Sequence, residues 1–174
     1  LVTGVQTCAL PIYETGIVQK FSTAGLLPRL WSVPISEGYS GPAVAAGRVY
    51  VTDRVADEGL ERVLCVDVET GRELWKYAHP VRYTVSYPAG PRTTPVIHDG
   101  LCYTIGAEGH MFCFDAATGE VRWSKEFQKD FGTKLPTWGM AASPLVDGDQ
   151  LITLVGGEKG GLVISFDRRT GREL

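Results

Sequence analysis

The chain has 174 residues, 44% apolar and 21% charged, with 17 basic against 20 acidic side chains and a formal net charge of -3. That is the composition of at most one soluble globular domain. It carries no basic footprint for nucleic acid and no run near the roughly 18 apolar residues that a membrane-spanning helix needs, so both of those classes are excluded. Gly (21) and Pro (10) are frequent enough to make a chain that turns often, and an all-β fold is the first expectation.

Residues 1–12 stand apart. The run from Val2 to Ile12 has neither helical nor strand periodicity. Back-translated, it resembles a sequencing-library adapter, and a scar of that kind is left out of fold reasoning. A secretory or lipoprotein signal would need a basic start and an apolar stretch ahead of Cys8, and the sequence has neither. Residues 13–40 read as a lead-in, in which Leu30-Trp31-Ser32-Val33 is expected to be the outer strand of a unit preceding the first complete one.

From residue 41 the chain is periodic. Leu64-Cys65-Val66-Asp67-Val68-Glu69-Thr70-Gly71-Arg72-Glu73-Leu74-Trp75 aligns without gaps on Phe112 to Trp123 and on Ile164 to Leu174. This places Asp67, Asp115 and Asp167, Gly71, Gly119 and Gly171, and Trp75 and Trp123 in equivalent positions. Gly41-Pro42, Thr94-Pro95 and Ser143-Pro144 precede them at the same period of about 50 residues. The second copy reads as four strands: Thr94–Ile97, Leu101–Ile105, Met111–Phe114 and Glu120–Ser124. Turns are expected at His98-Asp99-Gly100, at Ala107-Glu108-Gly109 and at Asp115-x-x-Thr118-Gly119, where the carboxylate can accept backbone N–H groups and glycine supplies a positive φ. Strands apolar on both faces, such as Leu151 to Val155, require sheets covered on both sides. A β-sandwich is the runner-up, but it does not call for one twelve-residue motif three times at a fixed period. The expected fold is therefore an all-β propeller fragment: about three four-stranded blades, at 41–77, 93–125 and 142–174 (the last truncated), plus one outer strand of a preceding blade.

The pattern small-x-Asp-x-x-x-Gly-x-x-x-Trp resembles the tryptophan-docking motif of the pyrroloquinoline-quinone (PQQ) repeat propellers. That family includes quinoprotein alcohol dehydrogenases and the non-catalytic lipoprotein scaffold of the outer-membrane protein assembly machine. The resemblance implies that Trp75 and Trp123 pack between blades, with Cys65, Cys113 and Ser165 holding the small position usually filled by Ala. It also implies an extracytoplasmic location, and a fragment whose open ends, without the missing blades of its own full-length chain, would leave it poorly soluble or molten.

Chemistry is sparse. Three cysteines lie beyond Cys8, and Cys102 and Cys113, on neighbouring strands, either form a cross-strand disulfide or stay as two buried thiols. His79, His98 and His110 have no metal-ligand spacing and read as turn and surface imidazoles, so no metal site is expected. Gly156 to Gly161 is glycine-rich but lacks the Gly-Lys-Ser/Thr of a phosphate loop, and it reads as a hairpin. The long connections, Ala78 to Thr93 and Lys125 to Ala141, exceed usual lengths and lead to the strands that line a propeller's channel. Arg92, Trp138, Tyr87 and Lys134 are the candidate ligand or channel-facing residues there, for a protein or small-molecule ligand at the channel or top face. A quinoprotein dehydrogenase would need PQQ, calcium and an asparagine ligand, and the chain contains no Asn. The expected function is thus an extracytoplasmic binding platform, with a PQQ-dependent alcohol or sugar dehydrogenase as the alternative.

Overall fold

The structure, a computed structural model, describes residues 29–86, 90–157 and 162–174. The adapter-like segment 1–12, most of the lead-in, Tyr87 and the centre of the Gly156 to Gly161 hairpin lie outside the described residues.

Three antiparallel sheets follow one another in chain order. The first contains β1 (Ala43–Ala45), β2 (Arg48–Val55), β3 (Leu60–Asp67) and β4 (Glu73–Pro80), and the second β5 (Val96–His98), β6 (Leu101–Ile105), β7 (His110–Asp115) and β8 (Val121–Glu126). In both, each strand pairs with the next. The third contains β9 (Leu145–Asp147), β10 (Gln150–Leu154) and β11 (Val163–Asp167), and an isolated bridge between Phe166 and Glu173 stands where the fourth strand begins in the other two. These are consecutive blades of a β-propeller, nearly all β. Leu30 to Val33, expected as an outer strand, carry no strand pairing among the described residues. A blade's fourth strand needs the third strand of its own sheet, and the residues before Arg29 are not described.

The blades pack because side chains alternate across each strand with a period of two. On one face of the second sheet Cys102, Phe112 and Phe114 meet Tyr50, Val63, Cys65 and Trp75 of the first. On its other face Tyr103, Ile105, Met111, Cys113 and Trp123 meet Leu151, Val155, Ile164 and Phe166 of the third. This explains runs apolar on both faces: a sheet with a neighbour on each side has no wet face. The same alternation settles the cysteines. Cys102 pairs with Phe114 and Tyr103 with Cys113, so the two thiols are one residue out of register and point to opposite faces. All three described cysteines are free and buried.

The repeated motif has one geometry three times. The Oδ1 of Asp67 accepts the backbone N–H of Glu69 (3.2 Å) and Thr70 (2.9 Å), that of Asp115 accepts Ala117 and Thr118 (both 3.0 Å), and that of Asp167 accepts Arg169 (3.0 Å) and Thr170 (2.8 Å). The turn then closes through glycines with φ of +71°, +76° and +70°. A second requirement falls on those glycines. A Cβ at Gly71, Gly119 or Gly171 would stand 2.7, 2.6 or 2.7 Å from an indole carbon of Trp31, Trp75 or Trp123, the tryptophan of the blade before. Each indole N–H donates to the carbonyl that follows the motif Asp: Trp31 to Val68 (2.9 Å), Trp75 to Ala116 (3.0 Å) and Trp123 to Arg168 (3.1 Å). Trp31 thus takes the position that Trp75 and Trp123 take one and two blades later. A register shift after Cys65 and after Cys113 puts each opposite its Trp in the sheet, which is where a bulge re-aims a side chain.

Inner strands converge at equivalent positions. A Cβ on Gly41 would touch Thr94 Oγ1 at 3.2 Å, and the Thr94 N–H donates to Ser143 Oγ at 3.0 Å. The long connections leave the outer strands, cross one common rim of the blades and return to these inner strands.

Candidate functional site

The rim holds the β2–β3, β6–β7 and β10–β11 hairpins and both long connections. The first connection is folded down by Glu108, whose carboxylate accepts the backbone N–H of Arg82 (3.0 Å) and of Thr84 (2.8 Å). Tyr83 between them has φ +40°, and its ring lies 4.0 Å beneath the Arg54 guanidinium. The second connection begins with a helical turn, α1 (Phe127–Phe131), that the sequence did not suggest. Phe127 is fully buried, and a Cβ on Gly109 would reach its side chain at 3.0 Å. The connection then turns at Pro136 to Gly139 and is tied back by the Met140 N–H to the Ala107 carbonyl (2.8 Å). The two connections meet where the Ser86 N–H and hydroxyl both donate to the Thr137 carbonyl (3.3 Å each).

The candidate residues fall on this rim as follows. Arg92 is half-buried, with its guanidinium 4.9 Å above the Tyr39 ring. Lys134 is exposed, and Trp138 is 57% exposed beside the Ser86–Thr137 contact. Tyr87 lies outside the described residues. Among the described residues no three His, Cys, Asp or Glu side chains stand close enough to hold a metal ion.

The sequence reading missed a group of polar side chains at the seam between the first and second sheets. His79, read as part of a connection, belongs to β4, which runs to Pro80, and is 8% exposed. His110 opens β7, half-buried, and its ring lies 4.9 Å from that of His79. Only His98 is exposed as expected of a surface imidazole. Glu61, on β3 directly opposite His79, is 2% exposed. Its Oε1 accepts from the Tyr83 hydroxyl (2.7 Å) and the Ala107 N–H (3.1 Å), while its Oε2 has no hydrogen-bond partner and faces His79 Nε2 at 3.6 Å. Burial pushes the Glu61 carboxyl up from its ordinary range, and burial followed by the nearby His110 pulls His79 down to about 4. A signal was available: Trp75, Tyr77 and His79 alternate with Lys76 and Ala78, the pattern of a strand continuing past the motif.

A family model described as outer membrane protein assembly factor BamB (PQQ_2) matches residues 3–77 and again 59–174. The chain belongs to this family. It is 26% identical over 139 residues to outer membrane protein assembly factor BamB of Yersinia pestis, an alignment covering 67% of this chain and 33% of that protein. The chain therefore spans about a third of the length of that relative. Among solved structures it resembles a europium-containing methanol dehydrogenase (TM-score 0.59, 21% identity, 82% of this chain and 25% of that one) and BamB from Moraxella catarrhalis (TM-score 0.53, 22% identity, 83% and 38%). At those identities the structural likeness shows the propeller fold, which dehydrogenases and assembly factors share.

Proposed function

We propose that the chain contributes blades 41–77, 93–125 and 142–174 to an extracytoplasmic scaffold that binds protein partners in outer-membrane protein assembly. The family match supports the class of protein. The observation that carries the binding face is the joining of the two long connections at Ser86 and Thr137 beside the exposed indole of Trp138. A large aromatic held out by a hydrogen-bonded turn is a typical interface anchor. Arg92 on its Tyr39 stack and Lys134 are assigned to the same proposed interface, which takes a polypeptide and leaves the blade core untouched, and Tyr87 is assigned to it from the sequence.

The test is binding of the full protein to a purified outer-membrane assembly partner. Trp138→Ala is expected to weaken binding by about tenfold or more, as hot-spot residues do, with the thermal midpoint unchanged. A photo-activated cross-linking residue at position 138 should capture that partner. Wild-type affinity in both Trp138→Ala and Arg92→Ala would refute the assignment of this face.

A further inference from the structure

We infer that Glu108, which lies too deep to touch a partner, is the positioning residue of the binding face: its carboxylate bends the first connection so that Ser86 steadies the segment carrying Trp138. This role rests on the reading of Trp138 as the side chain that meets the partner, and it identifies what keeps that side chain in place.

Both long connections are gathered by one turn of the second blade, Ala107 to Gly109. The Ala107 carbonyl accepts the Met140 N–H (2.8 Å), the Glu108 carbonyl accepts the Gln128 side-chain amide (3.1 Å), and the Gly109 carbonyl accepts the Phe127 N–H (3.0 Å). Those bonds tie down the second connection. The first is held against the same turn by a side chain. Glu108 is 5% exposed, with Oε2 accepting the Arg82 N–H at 3.0 Å and Oε1 accepting the Thr84 N–H at 2.8 Å and the Thr84 hydroxyl at 3.3 Å.

The local backbone explains why a carboxylate is needed there. Tyr83, between the two N–H groups, has φ +40°, and backbone N–H groups around a left-handed residue converge into a concavity that favours an anion. A residue bearing a Cβ seldom holds that conformation unaided. Glu108 supplies the anion, and with it the bend. Glu61, the other buried carboxylate on this rim, is already committed: Oε1 accepts from the Tyr83 hydroxyl and the Ala107 N–H, and Oε2 lies against Gly106 and His79.

Trp138 is consequently braced from both sides. On its N-terminal side the Thr137 carbonyl accepts from the Ser86 N–H and hydroxyl, at 3.3 Å each, on the arm that Glu108 bends. On its C-terminal side Gly139 lies so close to the turn that a Cβ there would stand 2.8 Å from the Ala107 carbonyl oxygen, and the Met140 N–H is bonded to that same oxygen. The exposed indole therefore projects from a short segment that cannot swing without breaking one of these supports. Ordering a loop at the moment of binding costs affinity, and a loop ordered beforehand avoids that cost. Removing the Glu108 carboxylate cuts one brace and leaves the other.

The experiment compares the full protein with Glu108→Ala by site-resolved amide hydrogen exchange and by binding to the same purified outer-membrane assembly partner. In Glu108→Ala the amides of Arg82, Thr84 and Ser86 are expected to exchange about tenfold or more faster, as the loss of bonds to a charged acceptor implies, while the Met140 amide keeps its protection. Affinity is expected to fall about threefold to tenfold. In a Trp138→Ala background the same change should lower affinity by less than about twofold, because Glu108 acts through that side chain. Acceleration at Met140 equal to that at Thr84 would overturn the proposal, since Glu108 would then be a support of the whole rim, and so would equal losses of affinity in the two backgrounds. A weakened Trp138→Ala beside a Glu108→Ala of wild-type affinity would overturn it alone. Wild-type affinity in Trp138→Ala would instead remove the reading beneath it, and the proposal with that reading. Should Glu108→Ala fail to fold, the unaltered protein decides: Arg82 and Thr84 amides that exchange at the rate of an unstructured chain would show that the carboxylate does not hold them, and would overturn the proposal.

Discussion

The indole N–H of Trp75, on the outer strand of one blade, donates to the main-chain carbonyl of Ala116 in the next, at 3.0 Å, and the Tyr50 hydroxyl reaches the same oxygen at 3.0 Å. Trp123 and Tyr103 repeat this pairing on Arg168. Truncating Trp75 or Trp123 to Ala removes a ring that fills the gap between two sheets, and is expected to cost about 3–5 kcal/mol. Tyr50→Phe or Tyr103→Phe removes one hydrogen bond and is expected to cost about 0.5–1.5 kcal/mol. Denaturant titration of the full protein separates the two ranges.

Gly119 and Gly100 make a matched pair of substitutions. Both have positive φ, +76° and +73°, but a Cβ on Gly119 meets the Trp75 ring at 2.6 Å while one on Gly100 meets nothing within 4 Å. Gly100→Ala is expected to cost about 1–2 kcal/mol, for the left-handed backbone alone. Gly119→Ala adds overpacking of a further 1–3 kcal/mol or so. Equal thermal shifts for the two variants would mean that the ring contact does not constrain the turn.

The motif aspartates predict a component of acid sensitivity. Asp67 is held low first by the Thr70 side chain, Asp115 first by Arg122, and Asp167 first by the Thr170 backbone N–H. A carboxyl depressed in the folded state contributes stability above its ordinary value, 3.8 here, and loses it as pH falls through the folded value. The thermal midpoint should therefore drop below pH 3.8, and less steeply in Asp67→Asn or Asp167→Asn, which cannot titrate. Melting curves in steps from pH 5 to pH 2 measure the slope.

The thiols should be silent in the native protein. Cys65, Cys102 and Cys113 are buried, and burial pushes Cys65 up to about 11 and Cys113 up to about 12, so thiolate is scarce at pH 8. In a Cys8→Ser background an aromatic disulfide reagent should titrate no thiol in the folded protein and three in denaturant. Two fewer in denaturant would reveal a bridge that the strand register opposes.

The propeller was legible because its determinants are local and repeated. Asp67, Gly71 and Trp75 return at fixed spacing, and each performs a task that its immediate neighbours define: a turn, a positive φ, an outer strand. The seam group was not legible for the opposite reason. Glu61 meets Tyr83, Ala107 and His79 only after two blades have packed, and nothing in the sequence around Glu61 says which hairpin will close over it. His79 was misplaced because the first blade extends its β2, β3 and β4 to eight residues each, while the more regular second blade set the expected strand length. Arg92 and Trp138 were named from the length of their connections, which says that a segment crosses the rim but not what it touches there.

The bond from each indole ends on a main-chain oxygen, and every amino acid has one. The position that supplies it is Val68, then Ala116, then Arg168, a branched aliphatic, a methyl and a buried guanidinium, with the contact kept within 0.2 Å. Side chains at that position are consequently free to drift without misaligning the blades. Arg168 has used that freedom to reach Asp99 at 2.6 Å and the Gly148 carbonyl at 2.9 Å. A joint addressed to the backbone lets a repeat diversify its surface while its assembly stays the same.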